Sequence, residues 1–147
     1  MQDTISEAAA GADGVEVPGH FWAVVGVGLL WNGFGALDYT MTKLGDPAWV
    51  GNIDPDMLAK LEAAPLSATA AWAIGVWGSF AGALLLLLRS RYAVQAFVVS
   101  LITAVISFGW QFSVGIVSTP ILPLVILAAI VFFWWYAARM REREVLR

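Results

Sequence analysis

Cysteine is absent from this chain, and histidine occurs once, at His20. Without cysteine there are no disulfides, no thiolate metal ligands and no cysteine nucleophile. One imidazole cannot make a His-rich metal site, and no Ser–His–Asp set suggests itself. Charge is scarce as well. Only 13% of the 147 residues are Asp, Glu, Lys or Arg, where a soluble domain carries roughly 25%. The basic n-region of a signal peptide is missing, and the first apolar run starts too late and lasts too long to be one. The glycines of GVGLLWNG lie inside that run, not between a strand and a helix, so they make no phosphate-binding loop. These absences argue against an enzyme, a bound cofactor or metal, and a nucleic-acid partner.

What remains is apolar. Hydrophobic residues make up 60% of the chain, and mean hydropathy is +0.77. The expected solvent is a lipid bilayer, and the expected fold is a single all-α domain. Residues 1–19 carry Asp3, Glu7, Asp13 and Glu16 without any Lys or Arg. They read as an acidic flexible tail. Residues 20–138 read as the transmembrane domain, with spans at about 21–42, 67–88, 92–115 and 120–138. Residues 139–147 read as a basic tail.

The connections set the topology. Arg89-Ser90-Arg91 is short enough to force two antiparallel helices. The one long connection, 43–66, holds Asp54-Pro55, an N-cap followed by Pro at the first helical position. Met57, Leu58 and Leu61 follow at helical spacing, so a short amphipathic helix should lie on the membrane surface there. Thr119-Pro120 gives a second cap-then-Pro signal. The architecture expected is a four-helix antiparallel bundle plus this surface helix. Arg89, Arg91, Arg139, Arg141, Arg143 and Arg147 fall on one side of it, and only Lys43 and Lys60 on the other. The positive-inside rule then puts both termini in the cytoplasm and the long loop outside.

Small residues mark packing faces. Ala71, Gly75, Ser79 and Ala83 recur every four residues, which suits close helix approach in lipid. Gly26, Gly28, Gly33 and Gly35 give the first span more glycine than one neighbour needs. That excess suggests a homodimer or another membrane protein as partner.

Polar residues within the spans are the candidate site. Asp38 is the only carboxylate in any expected span, one turn from the loop end of the first. It sits at the negative end of a helix dipole, with no arginine in reach. Three readings fit it: an interfacial acid in headgroup water, a buried functional acid, or a structural hydrogen-bonding group. Asn32 and Tyr39 share a face of the same helix. Trp72 in the second span and Ser107, Trp110 and Gln111 in the third fall at about the same depth. An acid, amides and hydroxyls beside indole faces suit a polar solute such as a sugar. The competing reading is that Ser, Thr, Asn and Gln only hold helices together, each bond being worth about 0.6–2 kcal/mol.

The stretches LLWNGFGALDYTMT, WAIGVWGSFAGALLLLLRSRYA and FVVSL resemble a family of small proteobacterial inner-membrane proteins. The resemblance covers roughly Phe21 to Gln111. It implies a four-span bundle and carries the label of a sugar transporter. Two function classes follow from the sequence as a whole. One is a transporter-like protein for a polar solute. The other is an accessory membrane subunit that packs against another protein or itself.

The topology is directly testable in a chain free of cysteine. Cysteines introduced at Ser6 and Ala59 should differ towards an impermeant thiol reagent on intact cells. Ala59→Cys should react and Ser6→Cys should not; the reverse pattern would invert the orientation.

Overall fold

The structure is a computed structural model that describes residues 14–147. The acidic residues Asp3, Glu7 and Asp13 lie outside the described residues. Six helices follow in order: α1 Gly19–Leu44, α2 Pro47–Val50, α3 Pro55–Glu62, α4 Leu66–Leu87, α5 Ala93–Ser113 and α6 Ile121–Glu142. No strand occurs among the described residues. Four of the helices, α1, α4, α5 and α6, are long and apolar enough to cross a membrane. The protein is an all-α bundle of four such helices.

Local sequence explains the boundaries. Asp54 caps α3 as its Asp-Pro signal requires, its carboxylate accepting from Asp56 N and Met57 N at 3.0 and 3.2 Å. The same Asp-Pro signal at Asp46-Pro47 nucleates α2, with Asp46 accepting from Ala48 N at 3.0 Å. This one-turn helix adds to the single short helix expected in the 43–66 connection. Gly45 ends α1 in the left-handed conformation, φ 66°, which lets Asp46 N bond back to Met41 O at 3.1 Å. Thr119 does not act as the cap of α6. Pro120 holds that position, without a side-chain hydrogen bond.

The bundle has two unlike ends. One carries the arginines, the other the α2–α3 loop. Large side chains fill the arginine end: Phe21, Val25, Leu86 and Phe97 are all 0–2% exposed. Phe97 stacks on Phe133 with ring centroids 5.8 Å apart. Gly28 admits Phe133 so closely that a Cβ there would lie 2.9 Å from the ring. Towards the loop end the buried residues of the long helices are mostly smaller, among them Ala36, Thr42, Ala68, Ala71 and Ser107, with Leu61 of α3 buried beside them.

The tightest seam joins α4 to α5. Ala71, Gly75, Ser79 and Ala83 are all buried, as the four-residue stripe requires. A Cβ on Gly75 would meet Ala104 N at 3.4 Å, and one on Gly82 would meet the Phe97 ring at 2.9 Å. Close approach allows the Ser100 hydroxyl to donate to Gly75 O at 2.6 Å, a bond between helices. Side chains that would face solvent in water instead face lipid. Leu30, Val27, Ile102, Ile121 and Leu122 are 56–78% exposed, which suits a bilayer.

The residues expected to form a basic tail are folded. α6 runs on to Glu142, and Val145 and Leu146 are 1% and 4% exposed. Arg147 N donates to Arg89 O at 2.7 Å, and Arg91 N donates to Arg147 O at 2.9 Å. The chain end is thereby paired to the α4–α5 turn. Val145 and Leu146, apolar residues at the end of the charged stretch MREREVLR, are the hint of this return in the sequence.

Glycine positions in this packing make distinct demands. Gly75→Leu should lower stability by about 1–3 kcal/mol through overpacking, because Ala104 backbone blocks the added volume. Gly26→Ala should not destabilise the chain, since nothing lies within 4 Å of its Cβ position and Ala is the better helix former. Unfolding in detergent would check both; equal losses would refute the seam.

Candidate functional site

Polar side chains within the spans meet partners close to home. Asn32 is 4% exposed, and its amide donates to Gly28 O one turn back at 2.7 Å. Gln111 is 9% exposed and Ser107 is 3% exposed. Gln111 Nε2 donates to Ser107 Oγ at 3.1 Å, one turn apart on α5. Ser79 bonds to Val76 O at 3.0 Å and Thr103 to Val99 O at 2.9 Å. A helix whose polar side chains bond their own backbone lowers the cost of burying them in lipid.

Asp38 is different because its partner comes from the loop. Trp49, on α2, donates its indole N–H to Asp38 Oδ1 at 2.8 Å. Both residues are half-buried. A hydrogen bond to a carboxylate is stronger than one between neutral groups, so it offsets part of the cost of placing Asp38 at a helix C-terminus. Trp49 also lies 6.1 Å from the Phe34 ring. α2 is thus folded back along the last turns of α1. Lys43 does not reach Asp38. Its ammonium donates to Leu61 O at 3.1 Å and lies 5.8 Å from the centroid of Trp72. Lys60 pairs with Asp56 at 2.7 Å.

The seven candidate residues therefore fall into separate groups. Tyr39 and Trp72 meet edge-to-face with centroids 4.8 Å apart. Lys43 extends that pair towards α3 through its contact with Trp72. Ser107 and Gln111 form a pair on α5, Asn32 bonds only within α1, and Trp110 is half-buried without a recorded polar partner. No hydrogen bond among the described residues joins Asp38, Asn32 or Tyr39 to Ser107 or Gln111. The shared depth inferred from the sequence brings Tyr39 to Trp72 and leaves the rest in their own neighbourhoods.

A cavity of about 260 Å³ opens at the loop end, lined by Thr42, Lys43, Leu44, Gly45, Leu58, Leu61 and Glu62. It lies where α3 covers the end of α1. Sequence reasoning missed it, since it depends on how the loop folds back. Its signals were Lys43 and the apolar face of α3. A second, wholly apolar groove of about 230 Å³ lies between α1 and α6, among Ala23, Val24, Val27, Phe132 and Phe133. Among the described residues, no group of three or more His, Asp or Glu side chains could hold a metal ion.

At the arginine end, His20 Nδ1 lies 2.7 Å from the Tyr136 hydroxyl. Tyr136 is buried at 5% exposure, while Trp134 and Trp135 are 38% and 51% exposed. The aromatic run Trp134-Trp135-Tyr136 thus splits. The two tryptophans face outward, and Tyr136 turns inward to join α6 to α1.

Comparison with protein-family models, with curated proteins and with solved structures finds no match for this chain.

The Asp38–Trp49 bond makes a clear prediction. Trp49→Phe keeps an aromatic ring beside Phe34 and removes the donor together with the pyrrole half of the indole. It should cost about 1.5–3 kcal/mol of loop attachment and speed amide exchange through α2. Exchange unchanged in α2 would show that the bond does not hold the loop.

Proposed function

We propose that the protein is a non-catalytic packing subunit of the membrane, built to associate through α1 with a second copy or another membrane protein. One observation carries this reading: the buried polar side chains spend their hydrogen bonds on helices. Asn32, Ser79 and Ser100 donate to backbone carbonyls, and Gln111 donates to Ser107. The Ser100 bond joins α5 to α4, and the other three are made within their own helices, so the buried polar groups are satisfied by the helices themselves. The glycines of α1 add support. Gly28 and Gly33 meet Phe133 and Phe80 inside the bundle, while Gly26 and Gly35 have nothing within 4 Å of a Cβ position. Such positions leave room for another helix to approach closely.

A second reading has its own support. The cavity beside Lys43 presents an ammonium, the Glu62 carboxylate and the Thr42 hydroxyl, with the Tyr39–Trp72 pair next to Lys43. Polar groups beside aromatic faces suit a sugar-like solute. The resemblance to a family labelled sugar transporter points the same way. In this reading the site sits at the loop end around Lys43, and the bacterial inner membrane is the setting.

Two experiments separate these readings. Val27 is 62% exposed on α1, and the chain has no other cysteine to interfere. Val27→Cys and Leu30→Cys should give cross-linked dimer or a larger adduct in native membranes. Monomer alone at both positions would remove the packing proposal. Vesicles holding only this protein should not accumulate labelled sugars; uptake lost in Lys43→Gln would establish the solute reading instead.

A further inference from the structure

The α4–α5 turn and the chain end together bring three arginines into one small motif. Arg89 and Arg91 flank the turn, and Arg147 pairs its backbone with both, through bonds of 2.7 and 2.9 Å. Arg89 takes a left-handed backbone, φ 55°, rare for a residue with a side chain. Its Nε donates to Val145 O at 2.9 Å, which fixes the guanidinium against the returning chain. Arg89 Nη2 is buried and has no hydrogen-bond partner. Arg91 and Arg147 are exposed, and Arg91 rests over the Tyr92 ring at 5.4 Å.

Counter-charge at this end is sparse. Among the described residues, the one arginine with a carboxylate in ion-pair range is Arg139, 3.5 Å from Glu142. The C-terminal ends of α4 and α6 offset some of this positive charge within their last turns through their dipoles. The motif stands where two apolar, membrane-length helices end and another begins. That is the level of lipid headgroups. Guanidinium groups match phosphate oxygens in geometry and charge, and anionic lipid attracts basic segments at this level.

We propose that the exposed Arg91 and Arg147, whose backbones are paired next to Arg89 by the returning chain end, form a binding site for the phosphate of an anionic phospholipid headgroup. The proposal rests on the membrane-spanning fold and is independent of either function reading. The pairing uses main-chain atoms of Arg147 and Arg91, so replacing their side chains leaves the motif's backbone intact.

The test uses the full chain purified in mixed micelles of phosphatidylglycerol and phosphatidylcholine, with retained lipid counted by native mass spectrometry. The wild-type protein should retain phosphatidylglycerol preferentially. R91Q/R147Q should lose that preference by about tenfold, and R147Q alone by about threefold, on the scale expected per surface arginine. K60Q, which removes one charge at the opposite end, should leave it unchanged. Raising the salt should weaken the wild-type preference. Equal retention of both lipids by the wild type would overturn the proposal. So would a K60Q loss equal to that of R147Q, because net charge alone would then explain binding. Displacement of the lipid by millimolar inorganic phosphate would also overturn it, in favour of a free-anion site. Should R91Q/R147Q fail to fold, the comparison of R147Q with K60Q decides.

Discussion

The seam between α4 and α5 is the contact on which the rest of the bundle depends. In lipid, helices gain little from hiding apolar side chains, since the solvent is as apolar as they are. Association must come from close packing and from polar bonds that water does not contest. Both are concentrated at Gly75, where Ala104 backbone lies within 3.5 Å of a would-be Cβ and Ser100 donates to the glycine carbonyl. α1 packs on α4, and α6 on α5, so this pair forms the middle of the assembly. The outer helices meet each other at the arginine end, through Phe133 against Gly28 and Tyr136 against His20.

From that seam the two ends diverge in character. Bulky side chains and a paired chain end close the arginine side. The loop side has small interior residues, and its cover is made by α2 and α3. Trp49 bonding to Asp38, and Lys43 bonding to Leu61 O, are the two polar ties that hold this cover to α1. Each tie spends a charged group of α1 on the connection that follows it. Asp38 thus has a structural partner close in sequence, on the one-turn helix beginning three residues after α1 ends. Its carboxylate serves the attachment of the loop, whichever function the protein performs.

Much of the fold was legible because lipid simplifies the code. Long apolar runs, short basic turns and a small-residue stripe fix helix number, antiparallel order and one packed face. α3 followed from Asp54-Pro55, and α2 was available by the same logic from Asp46-Pro47. The candidate site was less legible. Helical periodicity gives depth and face, but not rotation about the bundle axis or the path of a loop. Asn32 and Gln111 share a depth without sharing a bond, whereas Tyr39 and Trp72 share a depth and an edge-to-face ring contact. The partner of Asp38 came from a loop tryptophan, and the last arginines belong to a paired segment that charge counting alone describes as a tail.

The central claim is that the polar residues buried inside the spans are satisfied by the helices themselves, in a dry interior. Ser107→Cys and Ser100→Cys test it most directly, because cysteine nearly preserves the size of serine at two sites exposed by 3% and 0%. In the folded protein in membranes, neither cysteine should react with a hydrophilic maleimide added from either side, and both should react after unfolding. Reaction at Ser107→Cys in the folded state from the loop side would reveal an aqueous path to the interior and contradict the account.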